Sequence, residues 1–150
     1  MSILLITIDS ESAVAQTLRT HYDTAVISPA MAKRCTSWEQ YRYIITYRCP
    51  WIVSQNLLSE WAKAGILAVN IHPSLLPEYA GLNPWQEMFA RGERKGGVTV
   101  HRLSEVVDSG EIIMQRVMPI LLNDTICSAR NRADRLAAKM VLDVIAAVTE

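Results

Sequence analysis

Short apolar runs alternate along the chain with segments in which apolar residues recur at helical spacing. Nearly continuous apolar runs cover residues 3–8, 43–47 and 66–71, and a shorter run covers residues 25–28. Runs of this kind, rich in Ile and Val, are typical of parallel strands that are covered on both faces. They predict four strands in the first half of the chain.

The segments between and after these runs predict helices and two further strands. Helical spacing predicts helices at residues 13–22, 57–65 and 85–91, and a long amphipathic helix from about Asp124 onward. Pro29 is expected to end the second strand and to open a polar connection. Residues 98–103 and 111–117 alternate in polarity, which predicts two half-exposed strands. This order of elements predicts one α/β domain over residues 1–150, Rossmann-like and three-layered, with a mostly parallel sheet and helices on both faces.

Charge and cysteine content narrow the classes of function. Fifteen Lys and Arg balance fifteen Asp and Glu, so no net positive field attracts nucleic acid or an anionic membrane. Three cysteines without a Cys-x-x-Cys pair suit free thiols in a reducing compartment. The opening run is too short for a signal peptide, and no stretch reaches the ~20 apolar residues of a membrane span. We therefore expect a cytoplasmic protein that binds neither nucleic acid nor membrane.

Asn70 and His72 lie where the fourth predicted strand ends. Ligands of open α/β sheets bind beyond the carboxyl ends of the strands. The i, i+2 spacing puts both side chains on one face, so an amide donor and an imidazole can converge on one reacting atom. The alternative is turn chemistry with a hydrogen-bonded histidine. Two leucines in the following loop indicate that this loop is pinned to the core, which favours a functional His72.

Asp108 is the candidate carboxylate. It follows Val106 and Val107, which are expected to shield it partly from water, and it precedes Ser109 and Gly110 in a turn. An Asp-Ser-Gly turn whose carboxylate only binds its own backbone is the structural alternative. Together an amide, an imidazole and a carboxylate form a plausible set for acyl transfer.

Two motifs carry a resemblance to a known family. Residues 70–77 read Asn-Ile-His-Pro-Ser-Leu-Leu-Pro and are followed by Gly81, and residues 97–101 read Gly-Val-Thr-Val-His before Asp108 and Gly110. Both motifs, in this order, resemble the signatures of the folate-dependent formyltransferases. That family includes the glycinamide ribonucleotide, methionyl-tRNA and nucleotide-sugar formyltransferases. The resemblance implies a formyltransferase-like domain.

The resemblance also implies roles for single residues. Asn70 matches the amide that stabilises the oxyanion, His72 the catalytic imidazole, and Asp108 the carboxylate that works with it. His101, Ser74 and Gly81 match further motif positions and rank second, because a structural role explains them equally well. The implied formyl donor is 10-formyltetrahydrofolate, and no metal is implied.

Family members hold the folate pterin largely through the backbone of two loops. In this chain the corresponding loops cover residues 47–53 and 105–107. The residues expected to contact the folate are therefore Tyr47, Arg48, Trp51, Val53, Val106 and Val107. The Trp51 side chain can supply an apolar wall for the flat ring, although packing in the core explains it as well.

The chain departs from the family on the acceptor side. The turn 7–12 has no glycine, and Asp9 with Glu11 is expected to repel a phosphate, which disfavours glycinamide ribonucleotide. The absence of an appended barrel and the neutral charge disfavour initiator tRNA. Residues 28–43 are too few for another βα unit, so part of the acceptor wall is expected to be missing. A subunit partner then completes the wall, or the acceptor is small.

We therefore expect transfer of a formyl group to a primary amine of a small acceptor, such as an amino sugar or an amino-acid-derived amine. Two alternatives stay open: a hydrolase that releases formate from 10-formyltetrahydrofolate, and a non-catalytic folate-binding module. A homodimer through the last helix also stays open, although most such helices only cover their own sheet.

Overall fold

A single mixed sheet of six strands organises the chain. The structure, a computed structural model, describes residues 2–149. In chain order the elements are β1 (Ser2–Ile6), α1 (Ala13–His21), β2 (Asp23–Ile27), α2 (Pro29–Ala32), β3 (Tyr43–Tyr47), α3 (Gln55–Lys63), β4 (Leu67–His72), α4 (Pro84–Ala90), β5 (Lys95–Arg102), β6 (Ile112–Pro119) and α5 (Ile126–Thr149).

The strand order is β2-β1-β3-β4-β5-β6. The first four strands in this order pair in parallel, whereas β5 is antiparallel to β4 and β6 is antiparallel to β5. Strand order reverses between β1 and β3, and such a switch point leaves a crevice at the carboxyl ends of the strands. The predicted fold class, a mostly parallel sheet in a three-layer α/β arrangement, is confirmed.

Two apolar clusters cover the two faces of the sheet. Alternate residues of a strand point to opposite faces. Thus Ile3 and Leu5 of β1 pack in one cluster with α1 and α5, whereas Leu4 and Ile6 pack in the other with Trp61 of α3. Helices therefore lie on both faces. Among residues 2–149, no helix is both long enough and apolar enough to cross a bilayer.

The connection after β2 differs from its prediction, because Pro29 opens the short helix α2 instead of a purely polar loop. Pro at the first helical position has no hydrogen-bonding N–H to lose, and its fixed φ suits a helix. The Ser28 hydroxyl caps this helix by accepting a hydrogen bond from the Met31 N–H at 3.2 Å.

The prediction that β5 is half-exposed was wrong. The strand begins at Lys95, and every residue from Gly96 to His101 is buried. One of its faces packs in the cluster that includes α5, and the other lies under the loop that follows β4. Gly97 permits this contact, since a Cβ there would lie 2.4 Å from Leu75 Cδ2. The neighbouring β6 is partly exposed, as its alternation predicted.

The long helix α5 covers its own sheet. The apolar stripe of this helix, from Ala129 to Ile145, is buried against α1 and the strands. Only its last part is open, where Val148 is 39% exposed. The stripe therefore offers no support for a dimer through this helix.

Candidate active site

Three neighbouring strands place Thr46, Asn70 and His101 side by side. Thr46 of β3 is the register partner of Asn70 of β4, and Asn70 is the partner of His101 of β5. Directly paired residues on adjacent strands point to the same face, with Cβ atoms roughly 5 Å apart. The sheet itself thus brings a hydroxyl, an amide and an imidazole into one row.

These three side chains form a hydrogen-bonded row in which each group donates to the next, from Thr46 to the Arg102 carbonyl. The Thr46 hydroxyl donates to Asn70 Oδ1 at 2.7 Å, Asn70 Nδ2 lies 3.1 Å from His101 Nε2, and His101 Nδ1 lies 2.9 Å from the Arg102 carbonyl. A carbonyl only accepts, so His101 carries its hydrogen on Nδ1 and accepts from Asn70 at Nε2. One N–H of the Asn70 amide then has no partner in the row.

Burial lowers the pKa of His101 below its ordinary value of 6.5. The hydrogen bond with the Arg102 carbonyl and the charge of Asp108 oppose this shift, whereas His72 adds to it. A lowered pKa favours the neutral ring, which is the form that accepts from Asn70. The electrostatics and the hydrogen-bond geometry therefore agree.

His72 and Asp108 meet beside this row. The His72 Nε2–H donates to the Tyr79 carbonyl at 2.9 Å, so Nδ1 faces Asp108 Oδ1, 3.4 Å away. Both side chains are nearly buried, with 7% and 6% exposed. The Tyr79 carbonyl fixes a hydrogen on His72 Nε2. A hydrogen bond between Nδ1 and Asp108 therefore requires one further proton, either on Nδ1 or on the carboxyl group, because two acceptors do not bind each other.

Asp108 is shielded by other groups than the sequence indicated. Val106 and Val107 are 66% and 50% exposed, so they do not cover the carboxylate. It lies instead against His72 and His101, and its Oδ2 accepts a hydrogen bond from the Gly81 N–H at 2.7 Å. This bond ties the turn before β6 to the loop after β4.

The loop after β4 is fixed by a buried network. The Ser74 hydroxyl donates to the Glu78 carbonyl at 2.7 Å and makes a longer contact with the Tyr79 carbonyl at 3.3 Å. The Thr99 hydroxyl donates to the Ser74 carbonyl at 2.7 Å and accepts from the Leu76 N–H at 3.1 Å. Ser74 thus shapes the loop whose Tyr79 carbonyl orients His72. Thr99 is part of the second motif, in the middle of its strand, but no role of its hydroxyl was expected from the sequence.

A cavity of about 500 Å³ opens onto these residues. Asn70, His72, His101 and Asp108 line it, and so does Thr46. Of the residues expected to contact the folate, it is lined by Tyr47, Arg48, Trp51, Val53 and Val107, but not by Val106. Gly81 lines it too, whereas Ser74 does not. Trp51 lines the cavity and also packs in the core, where its ring lies edge-on against Trp61 at 6.4 Å.

The turn after β1 is closed by the protein's own side chains. Asp9 pairs with Arg48 at 2.5 Å, and the Ala13 N–H at the start of α1 donates to Asp134 Oδ2 at 2.8 Å. The other oxygen of Asp134 accepts from the Tyr47 hydroxyl at 2.9 Å, and burial raises the pKa of this phenol strongly. Asp9 is therefore neutralised by Arg48, and the Ala13 N–H at the start of α1 is already bound by Asp134.

Two arginines line the cavity, and they differ in their partners. Arg48 is paired with Asp9, whereas among the residues that the structure describes no carboxylate lies within 4.0 Å of the Arg130 guanidinium. Arg130 lies on α5 and lines the cavity together with Ala133 of the same helix. The cavity wall thus includes a positive charge that no described carboxylate pairs.

A Rossmann-like sheet that gathers an amide, an imidazole and a carboxylate at one cavity defines a domain suited to acyl-group chemistry. The model of the Formyl transferase family matches residues 12–145 of the chain. The chain therefore belongs to this family, as the two motifs indicated.

Curated relatives are similar over parts of their length. A phosphoribosylglycinamide formyltransferase of Haemophilus influenzae is 50% identical over 58 residues, which are 39% of this chain and 27% of that protein. A methionyl-tRNA formyltransferase of Ehrlichia canis is 36% identical over 94 residues, which are 63% of this chain and 30% of that protein. The chain thus spans less than a third of either relative.

Solved structures share the fold. The phosphoribosylglycinamide formyltransferase of Streptococcus pneumoniae superposes with a TM-score of 0.82 at 22% identity, covering 99% of both chains. HypX of Aquifex aeolicus superposes with a TM-score of 0.81 at 21% identity, covering 99% of this chain and 28% of that one.

Proposed function

We propose that the protein transfers a formyl group from 10-formyltetrahydrofolate to a primary amine of a small acceptor. The observation that carries this proposal is the convergence of an Asn70 N–H, the His72 imidazole and the Asp108 carboxylate on one cavity. Membership of the Formyl transferase family supports it. Trp51 and Val53 line the cavity, and their apolar side chains suit a flat folate ring.

Each residue of the site has a role in this transfer. The donor supplies an activated formyl group. The amine nitrogen bonds to the formyl carbon, the bond from that carbon to the folate nitrogen breaks, and the proton lost by the amine ends on the folate nitrogen. Asp108 accepts the amine proton and returns it, directly or through water. The free Asn70 N–H stabilises the negative charge on the formyl oxygen, and the His72 imidazole, 3.4 Å from Asp108, supports the carboxylate that accepts the proton.

The contacts at the turn after β1 favour an acceptor that is a small amine and that places no phosphate at this turn. The Ala13 N–H of this turn is already bound by Asp134, and Asp9 keeps Arg48 occupied. Amino sugars and amino-acid-derived amines fit this description. The uncommitted Arg130 favours those acceptors that carry an anionic group of their own.

Arg130 gives this preference a direct test. We expect an amino acid to be formylated with a kcat/KM about tenfold above that of its uncharged amide, because one charge-assisted hydrogen bond is lost in the amide. The Arg130→Gln variant should remove this preference, and Arg130→Lys should keep part of it. Equal rates for both compounds in the unchanged protein would contradict the role of Arg130.

Product analysis tests the proposed function. The protein is incubated with 10-formyltetrahydrofolate and a pooled set of small amines, and tetrahydrofolate, formate and formylated amines are measured. Asn70→Ala is expected to lower the rate by roughly 10²- to 10³-fold, as for other lost oxyanion donors. Formate without any formylated amine would indicate a hydrolase, and folate binding without turnover would indicate a binding module.

We also propose a cytoplasmic location. Cys35, Cys49 and Cys127 are free thiols, and Cys35 and Cys127 are exposed. Exposed free thiols persist in a reducing compartment. A homodimer remains a prediction, which light scattering of the purified protein would test.

A further inference from the structure

We propose that Thr46 is a positioning residue, whose hydroxyl holds the Asn70 amide in the orientation that turns one N–H toward the cavity. This inference rests on the proposed formyl transfer, because the amide acts there as the oxyanion donor. Thr46 lies inside the apolar run of β3, and neither motif includes it. The argument follows from sheet register, hydrogen-bond direction and burial.

The register fixes the distance between the two side chains. Thr46 and Asn70 are directly paired residues of the parallel strands β3 and β4, so their side chains stand next to each other on one face. Thr46 is 2% exposed, and its branched Cβ restricts rotation about χ1. Its hydroxyl is therefore held beside Asn70 Oδ1, 2.7 Å away.

The direction of the hydrogen bonds fixes the amide. An Asn amide has two orientations that exchange its oxygen and nitrogen. His101 accepts at Nε2, because its Nδ1–H is bound to the Arg102 carbonyl, so it selects the orientation with Nδ2 toward His101. The oxygen then faces Thr46. Among residues 2–149, the Thr46 hydroxyl is the group that donates a hydrogen bond to this oxygen. His101 thus selects the orientation, and Thr46 holds it.

Removing the Thr46 hydroxyl leaves Asn70 Oδ1 without its donor on a half-buried side chain. A partly buried acceptor without a partner is costly, so the amide rotates to find water or another donor. This rotation takes its free N–H away from the formyl oxygen. Loss of the Thr46 bond also weakens that N–H as a donor, because hydrogen bonds in a chain polarise one another.

The test compares two variants that differ by one hydroxyl. Thr46→Val keeps the branched shape and removes the donor, whereas Thr46→Ser keeps the donor. We expect Thr46→Val to lower kcat about tenfold while KM for the folate and the amine changes less than about twofold, since the lost interaction acts on the transition state. Thr46→Ser is expected to stay within about threefold of the unchanged protein.

A double variant separates positioning from a general structural effect. In the Asn70→Ala background the amide is absent, so adding Thr46→Val should lower kcat no further. Independent, multiplying losses would overturn the inference, and so would an unchanged kcat in Thr46→Val. If Thr46→Val does not fold, Thr46→Ala removes the hydroxyl without adding bulk and gives the same comparison.

Failure of this inference differs from failure of the proposed function. The inference fails when the unchanged protein formylates an amine but Thr46→Val keeps the same kcat. It also fails when Thr46→Val and Asn70→Ala lower kcat independently. The proposed function fails when the unchanged protein formylates no amine at all, and the inference then falls with it.

Discussion

At the scale of single residues, the charge of His101 decides what Asn70 can offer the cavity. The neutral ring accepts the amide N–H, whereas a protonated ring would present N–H groups at both nitrogens and would repel the amide nitrogen. Burial, the largest cause, lowers the pKa of His101, so the neutral form persists to lower pH than for a free histidine.

This shift makes stability depend on pH. A lowered pKa in the folded state means that the unfolded chain takes up a proton first as the pH falls below 6.5. We expect the free energy of unfolding to fall as the pH drops from 6.5 toward the lower folded pKa, with a slope of at most about 1.4 kcal/mol per pH unit from this residue.

Urea unfolding of the unchanged protein and of His101→Gln between pH 7.5 and pH 5 measures this contribution. The variant lacks the titrating ring, so the stability advantage of the unchanged protein should shrink as the pH falls. Asp108, His72 and Asn70 face the ring and are present in both proteins. The same pH slope in both proteins would contradict the prediction.

The residues of the site differ in how visible they are in the sequence. Asn70, His72 and Asp108 stand out because they are polar residues at the ends of apolar runs, and the structure brings them together. Thr46 lies outside both motifs and does not stand out, and Thr99 lies inside the second motif without a role of its own, since a β-branched residue inside a strand needs no functional explanation. Their partners depend on register and loop packing, which periodicity does not specify.

At the scale of elements, the loop after β4 depends on one hydroxyl of β5. The Thr99 hydroxyl binds the Ser74 carbonyl, the Leu76 N–H and the Gln115 amide. Thr99→Val removes these bonds in a fully buried place, so we expect a loss of about 1–3 kcal/mol in the free energy of unfolding. Thr99→Ser keeps the hydroxyl and should lose less.

Denaturant unfolding of both Thr99 variants provides the measurement. The formylation rate of Thr99→Val should also fall, because the loop carries the Tyr79 carbonyl that orients His72. Equal stability of the Val and Ser variants would show that the hydroxyl does not hold the loop.

The turn that carries Asp108 requires a glycine at its end. A Cβ on Gly110 would lie 1.7 Å from the Arg102 carbonyl oxygen, which is backbone and has little freedom to move. We expect Gly110→Ala to push the turn away from β5, to cost about 1–3 kcal/mol of stability and to lower the transfer rate by moving Asp108.

Gly96→Ala is a matched control for this variant. Its Cβ would lie 3.4 Å from the flexible Met88 side chain and from the Trp85 ring, which is an ordinary contact. Thermal unfolding and a formylation assay of both variants make the comparison. A Gly110→Ala protein as active as Gly96→Ala would refute the requirement.

The elements were largely predictable, and the differences have physical reasons. Buried parallel strands produce uninterrupted apolar runs, so β1, β3 and β4 were found, although β1 ends at Ile6 and leaves Ile8 69% exposed. The burial of β5 was missed, because glycines and polar residues such as Thr99 and His101 form part of its covered face. Alternation in polarity indicates exposure only when the polar residues have no buried partners.

At the scale of the whole molecule, Asp134 joins three elements that are distant in the chain. Its carboxylate on α5 accepts hydrogen bonds from the Ala13 N–H of α1 and the Tyr47 hydroxyl of β3. Asp134→Ala leaves both donors unpaired, so we expect a loss of about 1–3 kcal/mol. In a chain of this size each kcal/mol lowers Tm by about 2–4 °C.

Asp134→Asn separates hydrogen bonding from packing. Its amide oxygen can accept from the Ala13 N–H while its amide nitrogen donates to the Tyr47 oxygen, so most of the stability should return. Calorimetric unfolding of both variants provides the measurement. A Tm for Asp134→Asn as low as for Asp134→Ala would mean that the negative charge, and not the pair of hydrogen bonds, supports this junction.

The hydrogen bonds that close the turn after β1 also limit how the acceptor preference of the protein can change. An ancestor or a designed variant that gains glycines in this turn still has Asp134 bound to the Ala13 N–H and Asp9 bound to Arg48. Under the proposed function, opening this turn to a phosphorylated amine therefore takes changes at both Asp9 and Asp134, and the change at Asp134 weakens the junction.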